Sequence, residues 1–305
     1  MPIHEEDLNA VEKELVKMDG PLGDTFRSLA NILTVQPEYW MQNSVKGHRE
    51  KKFAKKGSYK VSFHSETSTD EHIQQYSIWY PTKLKSSTKT WPVVVWVNGG
   101  GVPVSDYKPI LDHMASWGFI VIGCEDADSS NGYSGSTMLD YLLKANKQKG
   151  NLFYGKVDTK NIGITGHSMG GSACINAATK YKNSKYFKTV ASQSAPGPLM
   201  TATGLGAYDS SRLKTSCLFI GGNHLLEKMV DTNANFQNVN NGKLTVAALR
   251  DGCIHSTVLK TVDPYITAWM VFQLKGNETA AKVFTGSSPE ITRNPNYVNV
   301  QIKNP

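Results

Sequence analysis

Gly166-His167-Ser168-Met169-Gly170 is a Gly-x-Ser-x-Gly pentapeptide lying between the apolar run Ile162–Thr165 and an Ala-rich stretch of helical texture, Gly170–Tyr181. Alone, such a pentapeptide arises by chance in on the order of one chain in ten of this length. The strand–turn–helix setting gives it weight, because it is the setting of a nucleophile elbow, in which a tight turn exposes a serine hydroxyl. The glycines let neighbouring backbone approach the serine, and the helix start behind Ser168 aims N–H groups at a developing oxyanion. The alternative is a Gly-rich turn without catalysis. Asn98-Gly99-Gly100-Gly101 follows another apolar run, Val93–Val97, and in a sheet of this kind that loop lies next to the elbow. The backbone N–H groups of Gly100 and Met169 are therefore the expected oxyanion donors.

A nucleophilic serine needs a base, and eight histidines are available. His4, His48, His64 and His72 precede the parallel strands, His113 lies within a helical stretch, and His167 and His224 sit in the elbow and after Ile220. His255 follows the strand-like Leu244–Leu249 in the loop Arg250-Asp-Gly-Cys-Ile-His-Ser. A loop after a late strand, with Ser before His in chain order, is where the base belongs. His255 is the expected base, against the alternative of a structural histidine.

The elements that must position these residues are legible as a pattern. Ser58–Ser65 and Gln74–Tyr80 alternate apolar and polar side chains, as half-exposed strands do. Val93–Val97, Phe119–Cys124, Ile162–Thr165 and Cys217–Ile220 are almost purely apolar, as strands buried on both faces are. Helical stretches separate them, at Tyr107–Trp117, at Gly170–Tyr181, and from an Asp263-Pro264 start to Gly276. The expectation is an α/β fold: a mostly parallel central sheet with helices on both faces, entered through antiparallel strands. Before it, residues 5–18 and Thr25–Leu33 (capped by Asp24) have helical character. Three segments are expected: a helical extension over 1–57, the α/β domain over 58–284 and a surface tail over 285–305.

Composition bounds the rest. At 39% hydrophobic and 10% aromatic residues the chain can build a core and is not disordered. No run reaches the ~20 apolar residues of a membrane-spanning helix. The acidic start Met-Pro-Ile-His-Glu-Glu-Asp is not a signal peptide, so a cytoplasmic protein is expected as written, with secretion after removal of a leader as the alternative. Cys124, Cys174, Cys217 and Cys253 are too widely spaced for a zinc site and read as reduced residues, with Cys253 as a thiol exposed near the site. The net charge of +7 is segregated: residues 1–45 carry 3 basic and 8 acidic side chains, and residues 46–60 carry 7 and 1. The simple reading is a solvated linker, and the sharper one a patch at 46–60 for peripheral contact with an anionic surface. No nucleic-acid motif accompanies the charge, no metal or cofactor is called for, and a monomer is expected.

The stretch Tyr154-Gly-Lys-Val-Asp-Thr-Lys-Asn-Ile-Gly-Ile-Thr-Gly-His-Ser-Met-Gly-Gly resembles the surroundings of the nucleophile in bacterial cutinases and polyester (PET) hydrolases, a dienelactone-hydrolase-like branch of the α/β-hydrolase fold. Ala115-Ser-Trp-Gly-Phe-Ile-Val-Ile and Ile254-His255-Ser256 extend the likeness, which covers roughly residues 58–275. It implies a secreted or periplasmic serine esterase, with Ser168 and His255 as the catalytic pair and Gly100 and Met169 as oxyanion donors. The family often carries an aromatic residue where Gly100 stands.

Three departures from that family are visible. Its triad Asp, after the strand Cys217–Ile220, would fall at His224 or Leu225 of Gly221-Gly-Asn-His-Leu-Leu-Glu227. Glu227 is the nearest carboxylate and α/β-hydrolases accept Glu in the role. Asp209, Asp231, Glu125 and Asp126 are the other candidates, and Asp251 is too close to His255 along the loop. Gly197 stands where the polyester hydrolases carry a Trp wall, which favours smaller or more flexible acyl groups over polymer. The disulfide some members hold beside the site has no partners here. The expected function is serine carboxylic-ester hydrolysis through an acyl-enzyme. The alternatives are a lipase, thioesterase or amidase on the same fold at a membrane surface, and a non-catalytic binding protein of hydrolase fold.

Overall fold

A computed structural model of the chain describes residues 44–125, 130–201, 206–224, 227, 230 and 232–305. The helical stretches expected within residues 5–33, and most of the 1–57 extension, lie outside the described residues, as do Asp126 and Asp231.

Nine strands form one sheet: β1 (Val61–Thr67), β2 (Gln75–Pro81), β3 (Trp91–Val97), β4 (Ile120–Cys124), β5 (Val157–His167), β6 (Phe187–Gln193), β7 (Ser216–Gly222), β8 (Thr245–Arg250) and β9 (Tyr297–Lys303). Their order across the sheet is β1-β2-β4-β3-β5-β6-β7-β8-β9. The six strands from β4 to β8 run parallel, and antiparallel pairs β1/β2, β2/β4 and β8/β9 close the two edges. Pro92 has no N–H for the ladder, and the β3/β5 register shifts between Trp91 and Val93.

The central strands are apolar throughout because each of their faces meets helices. On one side Val94, Trp96, Val121, Leu218, Ile220 and Val246 join a core with α1 (His48–Phe53), α2 (Lys108–Ser116), α6 (His255–Lys275) and α7 (Glu278–Phe284). On the other, Val93, Val95, Val97, Ile120, Ile122 and Ile164 meet α3 (Tyr133–Ala145), α4 (Met169–Lys180) and α5 (Thr232–Asn238). Successive residues of β3 thus enter opposite cores, the period-two signature of a sheet covered on both sides. Among the described residues no helix is long and apolar enough to cross a membrane.

Three expectations about the elements are corrected. The helix expected to open at Asp263-Pro264 begins at His255 and carries Pro264 inside it. Asp263 is no cap: it is 1% exposed and its carboxylate meets Nδ1 of His113 on α2 at 2.6 Å. The segment from Thr285, expected as a surface tail, ends in β9, which pairs with β8. Its Asn-rich texture serves buried bonding, since Asn294 and Asn296 both donate to the buried Glu50 carboxylate and Asn294 donates to Tyr265 Oη. Lys303 at the end of β9 donates to the carbonyls of Phe236 (2.7 Å) and Val239 (3.1 Å) that close α5. The part of the 1–57 extension that is described belongs to the sheet's surroundings: Phe53 is 1% exposed within the core, and Glu290 accepts the backbone N–H groups of Arg49 and Glu50, each at 2.9 Å.

Candidate active site

β5 runs out at His167, α4 starts at Met169, and Ser168 between them holds φ 59° and ψ −124°. A non-glycine residue in that region costs ~1–3 kcal/mol and persists only where its surroundings enforce it. Here the Ser168 N–H donates to the Gln193 carbonyl at 2.9 Å, and the Ser168 carbonyl accepts from Gly171 N–H at 2.8 Å. Gly166 and Gly170 are required by contact, because a Cβ on either would enter the Val97 carbonyl at the end of β3. Ser168 is thus presented, half-buried, at the head of a 12-residue helix.

The glycine loop after β3 lies where the sequence puts it. A Cβ built on Gly99 would stand 3.6 Å from Ser168 Cβ. The loop is pinned on both sides: Asn98 Nδ2 donates to the Cys124 carbonyl at 2.7 Å, and Gly99 N–H donates to Tyr107 Oη at 3.0 Å. Gly100 N–H and Met169 N–H have no acceptor among the described residues. The Met169 thioether lies in the space a side chain at position 100 would need, so the two donor residues touch.

His255, at the first turn of α6, is 4% exposed, and its Nδ1 is hydrogen-bonded to Glu227 Oε1. Glu227 is 1% exposed, and its other oxygen accepts from Ser194 Oγ at 2.7 Å and from Gly222 N–H. The missing side chains of Gly221 and Gly222, the last residues of β7, make room for it. A Cβ on Gly221 would lie 3.0 Å from Glu227 Oε2, and one on Gly222 would lie 2.8 Å from Glu227 Cγ. The carboxylate therefore reaches the imidazole from five residues beyond the strand, a displacement that the longer Glu side chain spans.

Of the other carboxylates weighed, the described ones are engaged elsewhere. Asp209 is exposed and accepts from Ser211 N–H in its own turn, Glu125 accepts from Val104 N–H at 3.1 Å, and Asp251 is exposed and accepts from Asn223. His224 is exposed, and its backbone N–H donates to the Cys253 carbonyl at 3.1 Å. Cys253, expected as an exposed thiol, is buried at 6% with its sulfur 3.2 Å from Thr261 Oγ1. It points into α6 because its backbone, not its side chain, faces the β7 loop. All four cysteines are buried free thiols.

Two contacts at the site carry no signal in the sequence. Ser194, with φ 48°, turns its hydroxyl back onto Glu227, and only the tertiary arrangement of β6 beside β7 brings the two together. The His167 ring packs on the His255 ring with centroids 4.4 Å apart at 40°, so His255 stands against the residue immediately before Ser168. Burial, and then the His255 charge, hold the His167 imidazole well below its ordinary pKa, which favours its neutral form beside His255. Among the described residues no three His, Cys, Asp or Glu side chains gather as metal ligands would.

The site therefore combines a strained, half-buried serine, two uncommitted N–H groups from adjoining residues, and a buried carboxylate–imidazole pair packed against the serine's neighbour. No curated protein matches the chain. The family model described as PET hydrolase-like, within the α/β-hydrolase superfamily, matches residues 49–202, from α1 through β1–β6 with the glycine loop and the elbow. The chain belongs to the PET hydrolase-like family of hydrolases.

Proposed function

We propose that the protein is a serine carboxylic-ester hydrolase working through an acyl-enzyme. Ser168 attacks the ester carbonyl while His255 takes its proton, and the Gly100 and Met169 N–H groups hold the oxyanion. His255 returns the proton to the leaving alcohol and then activates water for deacylation. Glu227, bonded to Nδ1, keeps the imidazole in the tautomer whose Nε2 can accept a proton, and it stabilises the imidazolium. The observation that carries this reading is the buried Glu227–His255 pair set against an elbow serine at φ 59°. It supplies the acid that the family's usual position lacks.

The substrate class is a small or flexible acyl ester. Gly197 stands where the resemblance to polyester hydrolases calls for a Trp wall, so an aromatic acyl group loses its stacking partner. The chemistry requires no cofactor. A fluorophosphonate probe should label the protein at Ser168, and Ser168→Ala should abolish both labelling and p-nitrophenyl butyrate turnover in a folded protein. Turnover retained by Ser168→Ala, or labelling at another residue, would sink the proposal.

A further inference from the structure

We infer that the lysine-walled groove between β1 and α2 is a docking surface for an anionic lipid bilayer. The groove, of about 390 Å³, is lined by Lys56, Lys60 and Lys108 together with Tyr59 and Phe63. All three lysines are exposed, and Phe63 is 52% exposed, one of two large apolar side chains so placed among the described residues. The acid on its wall is Asp112, which pairs with Lys108, so three lysines against one carboxylate leave the lining net positive. The chain reaching the groove carries exposed Lys51, Lys52 and Lys55, and the backbone bond from Thr82 N–H to the Lys60 carbonyl (2.8 Å) sets the turn bearing Lys83 and Lys85 alongside. Lys56 and Lys60 thus bring part of the positive charge of residues 46–60 to the groove, beside Lys108 of α2.

The surroundings favour a surface over a small anion. A phosphate pocket needs convergent hydrogen-bond donors. The wall's serine hydroxyls are committed: Ser62 to Thr82, and Ser116 to the His113 carbonyl and Gly57 N–H. What the groove offers is a set of exposed lysines around an exposed aromatic ring. That is the combination by which peripheral proteins meet the headgroup region, with lysines drawn to the anionic surface and a ring resting in the interface.

The test is co-sedimentation of the full chain with vesicles of phosphatidylcholine alone and with about 30% phosphatidylserine. Binding is expected to the mixed vesicles and not to phosphatidylcholine, and it should be lost at about 0.5 M salt. At roughly fivefold per lysine, Lys56→Ala/Lys60→Ala/Lys108→Ala together should lower partitioning about 100-fold. The three side chains are exposed, so circular dichroism should show an unchanged fold, and Phe63→Ser supplies an independent loss through the apolar contact. Ser168→Ala should bind as the unsubstituted chain does, which separates this inference from the catalytic proposal. Equal binding to both vesicle types, no binding to either, or unchanged partitioning of the triple variant would overturn it. Displacement by millimolar inorganic phosphate at constant ionic strength would also overturn it, in favour of a free-phosphate site.

Discussion

Glu227→Gln tests the catalytic reading at its most specific point. Glu227 Oε1 faces His255 Nδ1, and Oε2 accepts from both Gly222 N–H and Ser194 Oγ. A glutamine has one acceptor oxygen, and Gly222 N–H, a backbone donor, cannot turn into an acceptor. The amide oxygen must therefore take the Oε2 position, which directs the NH2 group at His255 Nδ1. Nδ1 then has to accept, the ring proton moves to Nε2, and the nitrogen that should deprotonate Ser168 is already protonated. The equivalent tautomer error in a Ser-His-Asp protease lowers kcat by ~10⁴, and at 1.36 kcal/mol per decade that corresponds to about 5.5 kcal/mol of barrier. Volume is conserved and the cradle stays bonded, so the melting temperature should change little. The assay is p-nitrophenyl butyrate turnover under saturating substrate, with fluorophosphonate labelling rate as a second readout. A kcat within tenfold of the unsubstituted protein would refute the role of Glu227 and the tautomer argument with it.

Ser194→Ala removes one charge-assisted hydrogen bond from the buried carboxylate, and should cost about 1.5–3 kcal/mol in chemical denaturation together with a fall in kcat at little-changed KM. Gly170→Ala drives a Cβ into the Val97 and Asn98 carbonyls, and should destabilise the fold by about 3 kcal/mol or leave it insoluble on expression. The buried His113–Asp263 pair gives a pH signature. Burial alone would lower the His113 imidazole, but the carboxylate 2.6 Å away and the Lys55 carbonyl on Nε2 raise it above its ordinary 6.5 despite opposing charge from Lys56. Its stabilising contribution is therefore complete below pH 6.5 and is lost as pH rises through the higher folded value. Urea midpoints should fall over that window, and His113→Gln should flatten the dependence; a midpoint that rises with pH there would contradict the assignment.

The sheet was legible where local pattern and burial coincide. β3, β4, β5 and β7 are apolar runs because both of their faces are covered, so composition alone marks them. β9 was hidden: its Val298, Val300 and Ile302 alternate with Asn299, Gln301 and Lys303 on an edge strand, behind a segment whose Asn residues look like loop texture. The start of α6 was misread because Asp263-Pro264 is good capping chemistry, and only the tertiary partner His113 shows that Asp263 is used otherwise. At the site, Ser168, His255 and the glycine loop follow from motif and chain order, which describe local geometry. The reach from Glu227 to His255 depends on the room that Gly221 and Gly222 leave at the end of β7, and the hold of Ser194 depends on β6 lying beside β7. Neither relation is encoded in any short window.

The clasp between residues 44–50 and 290–296 bears on the order in which the protein is assembled. Its bonds join residues about 240 positions apart, from Glu50 N–H to Glu290 and from Asn296 Nδ2 to the Ser44 carbonyl. The loop that carries His255 hangs from the same clasp, because Asp251 N–H donates to the Asn296 carbonyl and Arg250 Nη2 donates to the Ser44 carbonyl. Contacts of such separation bear the largest loop-closure entropy and form late. The elbow needs only the neighbouring strands β3, β5 and β6. A refolding chain should therefore form the Ser168 elbow before it secures the loop leading to His255, and pulsed hydrogen exchange should find the Ser168 amide protected ahead of that of Asp251.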